Sequence, residues 1–493
     1  MTEPLLLAVD QGTTGTTVLL VSLTGHVVRR AYREIPVVHP KPAWVEQDPE
    51  ALWRSVVEAV AEVVDPDTPP AALGITNQRE TVVVLERDTL RAVAPAIVWQ
   101  CRRSAELCAA HRANGEEPEL RARTGLLLDP YFSATKIEWL LRERPELRAR
   151  AERGELCATT VDGFLVARMS GGRRFATDAS NASRTLLYDL HRGGFDAELC
   201  ARFDIPPALL PEVAGSAEPV AVTDPAAFCG LRLPITGIAG DQQAALFGQA
   251  CLTPGMAKNT YGTGSFVLVN AGSRPVPPGP GLLTTVAWRL AGGDHFALEG
   301  SIFTTGAALR WLRDGLGLIA SYTEVAPLAA SVPDSAGVHF VPALAGLGAP
   351  YWDAGARGAF VGLTGAARRA HLVRAVVESM VLRTRDVVEA MEASGGVRLE
   401  ELRVDGGASV MDLLCQLQAD QLAVPVARAG TAETTALGAA WLAAVGAQLT
   451  SPEELAARYR PGQRFLPASA TRPQVEYAAW RVAVDRVRSA PPP

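Results

Sequence analysis

The sequence predicts an α/β fold built from two halves of similar design. A Gly-Thr turn occurs near the start, within residues 10–15, and again half the chain later, within residues 260–265. Apolar runs typical of strands flank both turns, and helical patterns alternate with further strand-like runs in each half. Because this mixture is typical of α/β domains, we expect one lobe over residues 1–249 and a second over residues 250–493.

The first half opens with predicted strands at residues 5–9 and 18–21, where apolar residues dominate, and an antiparallel extension is expected at residues 27–35. A helix is predicted to begin at Asp48 and Pro49, since an acidic residue before a proline is a typical helix start. Strands at 72–76 and 82–85 and helices at 103–112 and 135–141 follow. Residues 234–248 then predict a strand, a Gly-Asp corner and a helix.

The second half repeats this plan after a turn at residues 253–255. A strand at 266–269 follows the second Gly-Thr turn, and helices are predicted at 305–312, 371–392 and 410–422. Asp405, Gly406 and Gly407 stand between a short strand at 402–404 and the last of these helices. The run 274–281, rich in proline and glycine, predicts an exposed loop.

Composition excludes several functions. The net charge of -6 argues against nucleic acid as a partner, and no apolar run reaches the length of a membrane span. No Gly-Lys pair occurs, so the Walker-type phosphate loop is absent, as are the His-Arg-Asp and Asp-Phe-Gly elements of protein kinases. Seven cysteines without any Cys-x-x-Cys pair argue against zinc and a disulfide framework, and they predict a cytoplasmic protein.

The two Gly-Thr turns are candidates for phosphate binding. Glycine lets the backbone approach a ligand closely, and successive amides with threonine hydroxyls can line a concavity for anionic oxygens. Because one such turn lies in each half, we expect the two turns to bind a phosphate chain from opposite sides. The alternative is that each is only a tight β-turn.

Asp241 stands at the start of the helix after the Gly-Asp corner. It could be a helix N-cap, a general base, or both. We expect the helix dipole to keep its carboxylate ionised and weakly basic. Phosphoryl transfer tolerates a weak base, because its loose transition state depends mainly on orientation of the attacking hydroxyl.

The polar run Asn77–Thr81 between two apolar strands suits a polyol, whose hydroxyls each donate and accept hydrogen bonds. Its alternative is a solvated hairpin tip with an ion pair of no functional importance. Tyr131, Trp99 and Phe266 are either ligand-contacting aromatics or ordinary core residues. The diglycine before the 410–422 helix could admit a nucleotide close to the backbone.

Six segments, taken together, resemble the FGGY carbohydrate-kinase family, in particular its members that act on glycerol. These segments are residues 74–80, 97–103, 129–133, 177–185, 237–249 and 348–353, and the resemblance runs from about residue 5 to about residue 446. It implies two ribonuclease-H-like lobes, of the actin and hexokinase type, flanking a catalytic cleft. It also implies ATP-dependent phosphorylation of glycerol to sn-glycerol 3-phosphate with Mg²⁺, and a homodimer or homotetramer.

The resemblance assigns roles residue by residue. Asp241 would be the catalytic base, and Asp10 would help to place the metal ion. The substrate-binding residues would be Arg79, Glu80, Tyr131, Asp241, Gln242, Trp99 and Phe266. The nucleotide-binding residues would be Thr13, Thr14, Gly15, Thr263, Gly306, Arg310, Gly407 and Met411.

Three positions on the nucleotide side depart from the family pattern. The family usually has an arginine where this chain has Thr17, a glutamine at Arg310 and an asparagine at Met411. The loss of one charged hydrogen bond costs about 1.5–3 kcal/mol, or one to two orders of magnitude in affinity. These departures predict unusual nucleotide binding with looser base selection.

Alternative functions remain at this point. A related kinase could act on another polyol or sugar, such as erythritol or a ketopentose. From a different class, a non-catalytic sensor could use the cleft to bind a polyol or nucleotide, although the carboxylates Asp10 and Asp241 argue against it. A filament-forming or chaperone ATPase is less consistent with the sequence, because no segment after the second lobe could bind a client.

Overall fold

The computed structural model describes residues 3–65, 67–395 and 397–489. The strands, in chain order, are β1 (Leu5–Gln11), β2 (Gly15–Ser22), β3 (Val27–Glu34), β4 (Glu46–Gln47), β5 (Ala72–Asn77), β6 (Val83–Glu86), β7 (Ala96–Ile97), β8 (Leu156–Thr159), β9 (Ala176–Asp178), β10 (Tyr188–Asp189), β11 (Gly194–Phe195), β12 (Glu212–Ala214), β13 (Ala221–Val222), β14 (Pro234–Gly240), β15 (Met256–Tyr261), β16 (Ser265–Gly272), β17 (Leu283–Leu290), β18 (Gly293–Ile302), β19 (His339–Val341), β20 (Ala359–Val361), β21 (Glu401–Asp405), β22 (Val426–Arg428) and β23 (Arg464–Phe465).

The α-helices are α1 (Pro49–Val63), α2 (Ala105–Ala113), α3 (Glu117–Thr124), α4 (Ser133–Glu143), α5 (Pro145–Glu152), α6 (Val161–Met169), α7 (Ala179–Ala182), α8 (Ala197–Arg202), α9 (Asp241–Gly248), α10 (Gly306–Arg310), α11 (Val325–Ala330), α12 (Arg369–Ala393), α13 (Asp412–Leu422), α14 (Thr434–Gly446), α15 (Pro452–Arg458) and α16 (Gln474–Asp485). Short 3₁₀ segments lie at Pro207–Leu209, Tyr322–Glu324 and Gly407–Val410, and a π-helical turn at Trp311–Gly315 continues α10. Within the described ranges, no helix is both long and apolar enough to span a membrane.

Two large sheets share one plan. In the first, with the order β13-β14-β5-β1-β2-β3, the antiparallel strands β1, β2 and β3 adjoin the parallel strands β5 and β14. In the second, with the order β17-β18-β16-β15-β21-β22-β23, the antiparallel strands β15, β16 and β18 adjoin the parallel strands β21 and β22. Each Gly-Thr turn therefore closes the corresponding hairpin, β1–β2 or β15–β16.

Helices cover both faces of the first sheet. Apolar residues of α1, including Leu52, Val56 and Val60, pack on one face. The alanine-rich α14, although it comes from the second half, packs on the other. A Cβ atom at Gly74 on β5 would overlap the backbone of Ala439 on α14. Glycine is required there because the helix and the strand are in direct backbone contact.

The predicted elements match this architecture with small shifts at their ends. Asp48 caps α1 as the acidic-proline pair predicts, and its side chain accepts a hydrogen bond from the amide of Glu50. The helix predicted at 410–422 begins at Asp412, because a 3₁₀ turn precedes it. The helix predicted at 305–312 is α-helical only through Arg310.

Candidate active site

The polar run 77–81 after β5 is buried. Its side chains are at most 2% exposed. Asn77 donates to Asn181 at 3.0 Å, and Gln78 donates to Gln11 at 3.1 Å and to Gln47 at 3.0 Å. The alternative of a solvated hairpin tip is wrong, because β5 lies between β1 and β14 and its carboxyl end meets the interior.

Arg79 is the centre of the site. Its guanidinium donates two hydrogen bonds to Glu299, at 2.5 Å from Nη1 and at 3.2 Å from Nη2. Its Nε lies 3.3 Å from the Asp241 carboxylate and 3.5 Å from that of Glu80. Its Nη2 also lies 3.4 Å from the hydroxyl oxygen of Tyr131. One side chain thus connects three carboxylates and a phenol.

A second buried arginine completes this charge network. Arg184 donates to Glu80 at 2.8 Å and to Glu299 at 2.9 Å. Arg79 and Arg184 thus face the two fully buried carboxylates, Glu80 and Glu299, so these four buried charges balance, and the partly exposed Asp241 lies at their edge. Burial alone would raise the pKa of Glu299, but Arg184 and Arg79 outweigh this effect and lower the pKa to about 2.

Glu299 and Arg184 are not among the site residues predicted from the sequence. Arg184 lies inside one of the segments that carry the family resemblance, residues 177–185. Glu299 is the one charged residue of the run 296–302, which folds as the buried end of β18. An isolated carboxylate inside a strand is a signal for a buried partner, because burying it unpaired would be costly.

Asp241 is the first residue of α9, and Gly240 takes the N-cap position. Its carboxylate accepts a hydrogen bond from the amide of Gln242 at 2.7 Å, and about a third of the side chain is exposed. Burial raises its pKa, with Glu80 adding to this effect and Arg79 opposing it. The expectation that the helix dipole makes Asp241 a weak base is therefore wrong, because loss of hydration has the larger effect.

Lys258 is a buried cation beside Asp241 that the sequence analysis also missed. From β15 it donates to the side-chain oxygen of Gln242 and, at 3.0 Å, to Thr260. Burial lowers the pKa of Lys258 to about 8, against the opposing effect of Asp405 and Asp241. Because its oxygen is engaged by Lys258, the amide group of Gln242 is oriented to donate to a ligand.

Aromatic rings form the apolar walls. Tyr131 and Trp99 meet edge to face with ring centroids 5.6 Å apart, and the Phe266 ring lies 6.0 Å from the guanidinium carbon of Arg79. The buried Lys136 donates to the carbonyl of Tyr131 at 2.5 Å, which fixes the backbone beneath the phenol. The Trp99 indole donates to the hydroxyl of Thr13 at 2.8 Å and so connects this wall to the first hairpin.

The first hairpin is held in place by its neighbours. Its Thr13 carbonyl accepts a hydrogen bond from Gln47 at 2.6 Å, and its Thr14 carbonyl accepts one from the Tyr32 hydroxyl at 3.2 Å. A Cβ atom at Gly15 would overlap the Tyr32 ring. The turn is therefore fixed before any ligand binds.

Asp10, at the end of β1, suits a cation. Burial raises its pKa to about 8, and the negative charges of Asp241 and Glu433 add to the effect. A divalent cation beside these carboxylates would favour their ionised forms. In the described ranges, no cluster of three or more His, Cys, Asp or Glu residues could hold a metal by itself. This donor set fits Mg²⁺, which commonly binds one or two carboxylates together with substrate phosphates.

The second hairpin borders a cavity of about 280 Å³. The amide of Gly306 donates to the carbonyl of Gly262 at 2.9 Å, and a Cβ atom at Gly306 would come too close to that carbonyl. Apolar and aromatic side chains dominate its walls, and the lining residues are Tyr261, Gly262, Thr263, Gly306, Leu309, Arg310, Tyr322, Gly407, Ala408, Val410 and Met411.

The structure thus groups the residues that the resemblance selected. The seven substrate-binding positions form one connected set of contacts around Arg79. Five nucleotide-binding positions, Thr263, Gly306, Arg310, Gly407 and Met411, line the cavity at the second hairpin. The remaining three, Thr13, Thr14 and Gly15, form the first hairpin. Their roles toward ligands stay predictions.

Comparison with known families identifies both halves. Residues 5–248 match the N-terminal domain of the FGGY family of carbohydrate kinases, and residues 257–447 match its C-terminal domain. This chain belongs to the FGGY family of carbohydrate kinases. Among curated FGGY relatives, the glycerol kinase of Carboxydothermus hydrogenoformans is 50% identical over 99% of both chains. That of Aromatoleum aromaticum is 52% identical over 98% of both chains.

Solved structures of a glycerol kinase and a xylulose kinase share the fold. The Plasmodium falciparum glycerol kinase, crystallised with ADP, matches 98% of both chains with a TM-score of 0.92 and 30% identity. The xylulose kinase of Rhodospirillum rubrum matches 97% of this chain and 96% of its own with a TM-score of 0.86 and 26% identity. The predicted family and fold class are confirmed.

Proposed function

We propose that this FGGY kinase transfers the γ-phosphoryl group of ATP to a terminal hydroxyl of glycerol, giving sn-glycerol 3-phosphate and ADP. The observation that carries this proposal is the set of contacts around Arg79. It brings the donor Arg79, the acceptors Glu80 and Asp241, and the phenol of Tyr131 together beside aromatic walls. The activities named for the curated relatives agree with it.

Donors and acceptors in the site match the hydroxyls of a short polyol. Each hydroxyl donates one hydrogen bond and accepts others, so it requires both kinds of partner. Glu80 and Asp241 accept, whereas Arg79 and the amide group of Gln242 donate. Trp99 and Phe266 contact the carbon backbone. A polyol of the wrong length would leave some of these buried polar groups without partners.

Asp241 is the catalytic base of the proposed reaction. Its carboxylate orients the attacking hydroxyl toward the γ-phosphorus and accepts the proton that the hydroxyl loses as the new P–O bond forms. Because burial raises its pKa, it accepts this proton more readily than an ordinary aspartate. Phosphoryl transfer gains most from such positioning, because its transition state is loose.

The two hairpins hold the phosphoryl donor, ATP. Thr13, Thr14 and Gly15 contact its phosphates from one side and Thr263 from the other. Gly306, Arg310, Gly407 and Met411 border the nucleoside. Asp10 would hold Mg²⁺, which would neutralise part of the phosphate charge.

A panel of acceptors tests the substrate assignment. With ATP and Mg²⁺, we expect kcat/KM for glycerol to exceed that for erythritol, xylulose and gluconate by at least about 100-fold, since a mismatched acceptor leaves buried polar groups unpaired. A higher kcat/KM for erythritol, xylulose or gluconate than for glycerol would show that the chain acts on that compound instead. Binding of glycerol without turnover of any acceptor would favour the alternative of a non-catalytic sensor.

The nucleotide site should discriminate only weakly between adenine and guanine nucleotides. Met411 is buried in the cavity wall and offers no hydrogen bond of an amide to a base edge, and Arg310 offers donors only. We expect kcat/KM values for ATP and GTP to agree within about tenfold, because the site lacks even the one neutral hydrogen bond that an amide would make to the base. Met411→Asn should raise kcat/KM for ATP relative to that for GTP. A strong preference of the unmodified enzyme for ATP would contradict the expectation.

We also propose that the protein is cytoplasmic and forms a homodimer or homotetramer. Supply of ATP and the scattered cysteines support the location. The oligomeric state rests on the family resemblance.

A further inference from the structure

Arg30, on β3, lies on the same face of the first sheet as Asp10 and Thr17 and has no role in the site described above. In the β1–β2 pair Asp10 is opposite Thr17, and in the β2–β3 pair Thr17 is opposite Tyr32. Arg30 precedes Tyr32 by two residues, so both side chains leave β3 on the same face. Asp10, Thr17, Arg30 and Tyr32 therefore share one face of the sheet, next to the first hairpin.

Packing identifies this face. Ala8 on β1 and Leu19 on β2, which is opposite Arg30, are buried against the alanines of α14. Asp10 and Thr17 continue the same two rows beyond that contact. The face that carries Arg30 is thus the one that α14 covers, and Asp10 and Thr17 extend it toward the first hairpin.

The Arg30 guanidinium reaches the start of α14. Its Nε lies 2.7 Å from the carboxylate of Glu433, the residue before that helix, and about half of the Arg30 side chain is exposed. Thr434, the next residue, donates to the carboxylate of Asp405 at the end of β21, so the ion pair lies where α14 begins beside the strand that leads to Gly406 and Gly407. A cation from β3 thus lies on the same face of the sheet as Asp10, two strands away and two residues further along the strand.

The neighbouring position on β2 lacks a charge. Thr17, directly opposite Asp10, replaces the arginine that the family pattern leads us to expect. An arginine at residue 30 approaches the same region from the adjacent strand. Arginine is well suited to phosphate because its planar group donates two parallel hydrogen bonds.

We propose that Arg30 binds the phosphate chain of the nucleotide donor and supplies the positive charge that Thr17 lacks. Glu433 holds the guanidinium in the cleft while the site is empty and keeps it oriented when the nucleotide arrives. This role rests on the proposed function, since it assumes a nucleoside triphosphate at the first hairpin.

Binding of the non-hydrolysable triphosphate AMP-PNP with Mg²⁺, measured by isothermal titration calorimetry, tests this role. Arg30→Ala should weaken AMP-PNP binding by about tenfold or more, the effect of losing a charged hydrogen bond. Arg33→Ala is the matched control. Arg33 lies on the same strand but points to the opposite face, where it pairs with Glu62 of the neighbouring helix at 2.6 Å. The control should change AMP-PNP affinity less than twofold, and glycerol affinity should be unchanged in both variants.

A second variant tests the replacement itself. Adding Thr17→Arg to Arg30→Ala should restore most of the AMP-PNP affinity, because the charge returns from the adjacent strand. Equal effects of Arg30→Ala and Arg33→Ala, or no rescue by Thr17→Arg, would overturn the inference. Wild-type protein that binds AMP-PNP through Arg30 but does not phosphorylate glycerol would refute the proposed function alone. Wild-type protein that binds no AMP-PNP would refute both.

Discussion

Asp241→Asn should lower kcat for glycerol phosphorylation by about 100- to 10,000-fold, the range typical for loss of a general base. Asparagine keeps the shape of the side chain, and its oxygen can still accept the hydrogen bond from the amide of Gln242. It cannot accept the proton of the attacking hydroxyl at neutral pH. Steady-state assays of ADP release at saturating glycerol and ATP measure this effect.

Asp224→Asn is the control for this prediction, since Asp224 also accepts a hydrogen bond from a backbone amide, that of Ala226 at 3.0 Å, but plays no part in the site. Its kcat should stay within twofold of the wild-type value. The pH profile adds a second readout. Because the pKa of Asp241 is raised, wild-type kcat should fall at a higher pH than an ordinary aspartate would give as the medium is acidified. A kcat for Asp241→Asn within tenfold of wild type would exclude Asp241 as the base.

Glu299→Gln should be the most destabilising single change in the substrate site. It removes one negative charge from the buried network and leaves Arg79 and Arg184 incompletely neutralised. Breaking a buried ion pair costs about 3–5 kcal/mol of stability. We also expect glycerol to bind at least about tenfold more weakly, because Arg79 loses the partner that fixes its orientation. Urea denaturation and calorimetry with glycerol measure the two effects.

Glu401→Gln provides a matched comparison. Glu401 likewise bridges two arginines, Arg403 at 2.8 Å and Arg464 at 2.5 Å, but Arg464 is about half exposed. The loss of stability there should be smaller than for Glu299→Gln, because water solvates the exposed Arg464 and screens its interaction. Because the pKa of Glu299 is lowered from 4.5 to about 2, its contribution is complete above pH 4.5 and disappears as the pH falls toward 2. Equal effects of the two substitutions would show that the network around Arg79 adds nothing beyond a surface ion pair.

Much of the fold could be predicted from the sequence because its signals are local. The alternation of apolar runs with helical patterns gave the α/β class, and the pair Asp48-Pro49 marked the start of α1. The position of α14 on the first sheet was not predictable in this way, because it depends on packing between residues far apart in the chain.

The candidate site likewise contains residues that the sequence predicts and residues that it does not. The run 77–81 and the Gly-Asp corner before Asp241 could be recognised because each is contiguous in sequence. Glu299 and Lys258 could not, since each is a single residue that reaches the site only when β18 and β15 align beside the first lobe. The raised pKa of Asp241 is not predictable from the sequence for a related reason. Burial depends on the surrounding structure, whereas the helix dipole can be inferred from local sequence.

Single-turnover transfer from ATP labelled at the γ-phosphate tests the central claim most directly. With enzyme in excess over ATP and with glycerol and Mg²⁺ present, we expect the label to appear in sn-glycerol 3-phosphate, and the Asp241→Asn variant to transfer it at least about 100-fold more slowly. Label found only in inorganic phosphate, or retained in ATP by the wild-type enzyme, would contradict a glycerol-phosphorylating site built around Arg79 and Asp241.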